Sequence, residues 1–133
     1  MNTDALNTGT TTATLEAPLT KEYIIKNPKT VEEMVKEYFK DTPIMIKVAW
    51  CESRNRQYDK NGDLFRGIVN NDDVGVMQIN TYYHKETAKK MGLDLTTLEG
   101  NLTYGKYLYE KEGTTPWNSS SACWAADNEV AKK

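Results

Sequence analysis

At 133 residues the chain suits a single domain, large enough to bury roughly two thirds of its surface around one core. Charged residues make up 27% of it but the formal net charge is only −2, which excludes a global basic field of the kind that recruits nucleic acid or an anionic membrane. No apolar run approaches the roughly 20 residues that span a bilayer, and the first residues lack a basic region followed by an apolar stretch, so neither membrane insertion nor an export signal is expected.

Residues 1–20 open with "MNTDALNTGTTTATLEAP", rich in Thr and Asn and nearly free of large apolar groups. That composition cannot build a core and predicts a tail or linker, leaving 21–133 as the folded domain. Thr30 followed by Glu33 forms a capping-box signature, after which Val31, Met34, Val35, Tyr38 and Phe39 recur on one helix face. Thr42 before Pro43 starts a second helix, in which Ile44, Met45, Ile46, Val48, Ala49 and Trp50 cover nearly the whole circumference. Such a helix is expected at the centre of the domain. Tyr82 to Met91 reads as a third helix stopped by Gly92, and Thr96 with Glu99 opens a fourth that runs through Leu102, Leu108 and Tyr109 to Gly113. A short last helix is expected around Ser120 to Asp127.

The stretch Gln57 to Asn80 breaks the helical pattern. "YDKNGDLFRGIV" places an Asn61-Gly62 turn between two strand-like segments, and "VGVMQIN" is short, apolar and partly β-branched. The fold class that follows is mainly helical α+β, with a small antiparallel sheet inserted directly after Glu52.

Glu52 stands in "KVAWCESRN", where the apolar helix gives way to polar residues. A carboxylate at the C-terminal end of a buried helix faces the negative end of the helix dipole, and apolar neighbours such as Trp50 and Met77 withhold water. Both effects favour the protonated form, which is a proton donor near pH 6. The plainer reading is a first solvated residue after a core helix, and composition alone does not separate the two.

At this point the residues resemble a known family. Glu52-Ser53, followed by "GVMQIN" at Gly75 to Asn80, is similar to the signature of the lysozyme superfamily, in particular lytic transglycosylases of the soluble type. "DVGVMQIN" from Asp73 also resembles the animal-type lysozyme pattern Asp-x-Gly-x-x-Gln-Ile-Asn. The resemblance covers roughly Pro43 to Trp124 and implies a lysozyme-like fold that cleaves the β-1,4 bond between N-acetylmuramic acid and N-acetylglucosamine, the glycan strands of peptidoglycan being the partner. It implies Glu52 as general acid, with Ser53 orienting the acid unless it is a local helix cap. Gln78 and Asn80 would line the saccharide cleft, and Met77 would pack against the acid or simply fill core. Asp73 falls where animal-type enzymes keep their second carboxylate, or else in a solvated turn.

The transglycosylase pattern Asn-Ile-x-x-Gly-x-x-Tyr-Leu is met by Asn101, Leu102 and Gly105, but Tyr107 and Leu108 arrive one residue early. Tyr104, Tyr107 and Tyr109 therefore compete for the site, with Asn101 and Tyr107 taken as substrate contacts. The 8 Tyr and 3 Trp suit sugar stacking as well as core packing. One carboxylate suffices for transglycosylation, in which the muramic C6 hydroxyl attacks; two permit hydrolysis. An idle glycan-binding or wall-structural module is the alternative.

No cofactor is expected. "DKNGD" from Asp59 lacks the Gly and Glu of an EF-hand at the required positions and reads as a hairpin turn, and the lone His84 reads as an exposed helix-start residue. Cys51 and Cys123 are either a bridge tying the C-terminal region to the central helix or two buried thiols. In an enzyme acting outside the cytoplasm, where the resemblance puts this one, the bridge is expected. The protein is expected to be a monomer.

Overall fold

The computed structural model describes residues 19–125. Within them the fold is mainly helical with one two-stranded antiparallel sheet. Helices α1 (Lys21–Lys26), α2 (Lys29–Tyr38) and α3 (Pro43–Ser53) lead to strands β1 (Asp73–Val74) and β2 (Ile79–Asn80). Helices α4 (Thr81–Lys90) and α5 (Leu98–Glu112) follow, and a 3₁₀ helix, Thr115–Ser120, continues as helix over 121–125. The tail expected at 1–20 falls outside the described residues except at its end, where Thr20 caps α1 by accepting the Tyr23 N–H. Helix α1 itself was not foreseen; only its Ile24 is buried, so it carries a weak periodic signal.

The core is built where apolar spacing meets from several elements. Val31, Val35 and Phe39 of the α2 region pack with Met45, Val48 and Ala49 of α3, Leu98, Leu102 and Leu108 of α5, and Val74, Val76, Met77 and Ile79 of the hairpin. The capping box expected at Thr30 and Glu33 does not form. Pro28 already has helical angles and is the N-cap residue, so Thr30 lies inside α2. Helix α3 starts as foreseen, with Thr42 at the cap and Pro43 in the first turn. It is not buried all round, for Trp50 is 52% exposed and lies under the Arg54 guanidinium at 5.1 Å. Helix α5 opens one residue later than read: Thr97, not Thr96, caps it through the Gly100 N–H, while Thr96 bonds Asp94.

"VGVMQIN" is not one strand but a tight hairpin. Asp73 pairs with Asn80 and Val74 with Ile79, and residues 75–78 turn the chain between them. Gly75 has φ +75°, and a Cβ there would strike the Asn101 amide and the Gln57 carbonyl oxygen. Two-residue strands make too few ladder bonds to stand alone, so the hairpin is pinned by side chains from outside. Gln57 accepts from the Val76 N–H and donates to Thr96 O, each at 3.0 Å. Asn101 accepts from the Met77 N–H at 2.8 Å and donates to Val74 O and Leu95 O, both at 2.9 Å. The expected Asn61-Gly62 hairpin contributes only isolated bridges, Tyr58 to Leu64 and then Arg66 to Val74. Asp59 Oδ1 closes its turn by accepting the N–H groups of Asn61 and Asp63.

Candidate active site

The C-terminal end of α3 forms one wall of a groove of about 360 Å³, and the 65–70 loop and the hairpin form the other. Glu52 and Asp73 both line it, and so do Arg54, Arg56 and Gln78. Of the three non-glycine residues with positive φ among the described residues, Arg54 and Gln78, at 56° and 52°, line this groove, and Asn55, at 59°, follows Arg54 in the chain. Left-handed backbone at such residues is uncommon and concentrates at functional sites. Two in succession turn the chain sharply away from α3, so that Glu52 and Ser53 end the helix while Gln57 re-enters the core.

Glu52 is half-buried, and its Oε2 accepts a hydrogen bond from Ser120 Oγ at 2.6 Å. The cover comes from the 3₁₀ helix packed over the end of α3, not from Trp50 as the sequence suggested. Burial pushes the Glu52 pKa above the ordinary glutamate value, the Ser120 bond pulls it back in part, and the Asp73 carboxylate across the groove raises it further. Cys51 and Cys123 are bridged, with Cα atoms 6.0 Å apart across a sequence separation of 72. The staple therefore sits one residue before the acid and three after Ser120. Trp117 fixes the same segment to the hairpin by donating to Met77 O at 2.8 Å.

Asp73 holds its place by accepting from Asn80 Nδ2 at 3.0 Å, while Asn80 Oδ1 caps α4 through the Tyr83 N–H. Gln78 lines the groove and donates to Gly75 O at 3.0 Å. The structure thus brings Glu52, Asp73 and Gln78 together, with Asn80 supporting Asp73.

Other sequence-derived positions serve the scaffold. The Ser53 hydroxyl is buried, donating to Ala49 O and accepting from the Arg56 N–H, each at 3.2 Å, so it is a local cap. Met77 is core, packed so closely on α5 that a Cβ at Gly105 would lie 2.8 Å from its Cγ. Asn101 is 0% exposed and has both amide protons committed, which corrects its assignment as a substrate contact. Tyr107 does not line the Glu52 groove; its ring lies 5.3 Å from Tyr104 and beneath Lys111. Tyr104 is buried and meets His84 Nδ1 at 2.9 Å, so His84 is not the exposed residue expected. Burial is the main cause holding the His84 pKa below its ordinary value.

Sequence reasoning missed Ser120, Gln57 and the pair Arg56 and Phe65, whose guanidinium and ring stack at 4.2 Å on the groove wall. Only a residue's distant partner marks it in such cases. A wider depression of about 450 Å³ between Leu64, Val74, Ala88 and Leu95 holds one carboxylate, Asp94, whose Oδ1 is taken by Thr96. It offers no pair of acid groups. Among the described residues no cluster of three or more His, Cys, Asp or Glu could hold a metal ion, and no helix is long and apolar enough to cross a membrane. Compared with models of known families, with curated proteins and with solved structures, the chain matches none.

Proposed function

We propose that this chain is a lysozyme-like glycosidase that cuts the β-1,4 bond between N-acetylmuramic acid and N-acetylglucosamine in peptidoglycan, by lytic transglycosylation or hydrolysis. The observation that carries the reading is a half-buried carboxyl at the end of a core helix, held by Ser120 and facing a second carboxylate across an open groove. Cleaving a glycosidic bond requires protonation of a poor leaving group and stabilisation of an oxocarbenium-like transition state, normally by two carboxyl groups of different character. Glu52, whose pKa burial raises toward the protonated form, is the acid; Asp73, tethered by Asn80, is the group that faces the developing positive charge.

The substrate class rests on the likeness of Glu52-Ser53 and "GVMQIN" to the lysozyme superfamily, and the order of helix, hairpin and helices supports the same comparison. The Cys51–Cys123 bridge agrees with work outside the cytoplasm, where disulfides persist. Mass spectrometry of products from purified peptidoglycan tests the proposal. Anhydro-muramic ends identify transglycosylation and new reducing ends identify hydrolysis. Retention on the glycan with neither product would instead select an idle binding module.

A further inference from the structure

We infer that Ser120 is the positioning residue of the acid: its hydroxyl keeps Glu52 Oε2 as an acceptor in both protonation states and so assigns the transferable proton to Oε1. The inference rests on the reading of Glu52 as a general acid, but its physical content is a hydrogen-bond pattern that can be measured without substrate.

Three groups meet Ser120 Oγ. Trp124 Nε1, at 3.0 Å, has only a proton to give and therefore occupies a lone pair of the hydroxyl. The single hydroxyl proton then has two acceptors within reach, Glu52 Oε2 at 2.6 Å and Trp117 O at 3.1 Å. The carboxyl wins in either state by geometry, 2.6 Å against 3.1 Å, and in the ionised state it wins further because bonds to an ionised acceptor are shorter and about twice as strong as those to a neutral carbonyl. With Oε2 accepting, a proton on the carboxyl resides on Oε1.

The consequence for the reaction follows step by step. Glu52 passes the Oε1 proton to the glycosidic oxygen as the bond to the anomeric carbon breaks, its electron pair leaving with that oxygen. Negative charge appears on the carboxylate, and the Ser120 bond strengthens with it. When a sugar hydroxyl or water adds to the anomeric carbon, its proton returns to Oε1. Ser120 neither gains nor loses a proton throughout. Its contribution is an interaction stronger in the transition state than in the ground state, which is the kind that accelerates chemistry.

The surroundings show that the hydroxyl is held in place. Trp117 ties the 3₁₀ helix to Met77 O, and Cys123 ties the next turn to Cys51, so Ser120 is anchored on both sides. The charged groups that line the groove with Glu52 are Asp73 from the hairpin and Arg54 and Arg56 from the chain leaving α3, and the 3₁₀ helix, "TPWNSS", brings none.

The test compares wild type, Ser120→Ala and Ser120→Thr. A ¹³C NMR titration of the Glu52 side chain is run without substrate, beside the pH profile of peptidoglycan cleavage. Loss of the hydroxyl removes a bond that favours the ionised form, so in Ser120→Ala the Glu52 midpoint should move up. The alkaline limb of the rate profile should move with it. Plateau kcat should fall roughly ten- to hundredfold with KM little changed, the scale of one hydrogen bond to a charged group. Ser120→Thr should restore the wild-type midpoint. The fold should persist, since Trp124 Nε1 keeps Trp117 O at 3.3 Å. An unmoved midpoint in folded Ser120→Ala overturns the inference. An inactive wild type would remove the proposed function while the midpoints still decide whether Ser120 controls the carboxyl.

Discussion

Replacing Asn101 by Ala separates a scaffold role from a substrate contact. The side chain is fully buried and satisfies one backbone donor, Met77 N, and two backbone acceptors, Val74 O and Leu95 O. Each buried backbone group left without a partner costs about 1 to 3 kcal/mol, and water entering the vacated space relieves part of that. A net loss of roughly 3–5 kcal/mol is expected, a large fraction of the about 5–15 kcal/mol that holds a domain together. At about 4 °C per kcal/mol for a domain of this size, Tm should drop by about 12–20 °C. Asn101→Asp should lose at least as much, because it keeps the acceptor for Met77 N but sets a buried carboxylate oxygen against Val74 O and Leu95 O. Thermal unfolding with the disulfide intact, followed by circular dichroism and by Trp fluorescence, measures both variants. A Tm for Asn101→Ala within about 3 °C of wild type, accompanied by weakened glycan binding, would refute the scaffold assignment.

Four further outcomes are expected. Glu52→Gln should lose at least about 100-fold in turnover while remaining folded, and substantial clearing of cell-wall suspensions by the folded variant would rule out the acid. Because the folded-state pKa of Glu52 is raised above its unfolded value, the native state holds this proton more tightly. Stability should therefore decline as pH rises from the unfolded value through the folded one, and Glu52→Gln should be free of that decline in pH-dependent melting curves. Asp73→Asn should cut kcat by orders of magnitude with glycan affinity retained; near-normal rates with 1,6-anhydro products would leave Glu52 acting alone. Reducing Cys51–Cys123, which spans a separation of 72, should cost about 4 kcal/mol in the chain-entropy model, and an unchanged Tm under reductant would contradict it.

What the sequence revealed depended on how local each signal was. Pro43 after Thr42, Gly92 and Gly113 mark helix ends through their own backbone chemistry, and α3, α4 and α5 lie within a residue or two of where those signals put them. "VGVMQIN" misled because its apolar run fits a strand, whereas the turn inside it depends on Gly75 and on side chains 18 and 26 residues away, Gln57 and Asn101. Thr30 and Glu33 have the right spacing for a capping box, yet Pro28 has already begun the helix. Glu52 and Asp73 were legible as a pair because the motifs fall in order along the chain. Asn101 was legible as a marked position, but family likeness names positions and not roles, and burial turned a supposed contact into a strut. Ser120, within a run of three serines, carries no local signal at all.

The distance along the chain between Glu52 and its hydroxyl partner, 68 residues, also has a meaning for how the molecule opens. Proteins unfold in patches, and a terminal segment can lift away while the core behind it stays protected from hydrogen exchange. Here residues 115–125 cover the acid without supplying most of the core, so their excursions would return Glu52 to water and to an ordinary carboxylate while the helices remain intact. The bridge to Cys51 sets how often that happens, since it holds one end of the patch beside the acid even when the rest has lifted. Besides bracing the whole fold, the disulfide thus limits the time Glu52 spends exposed to water.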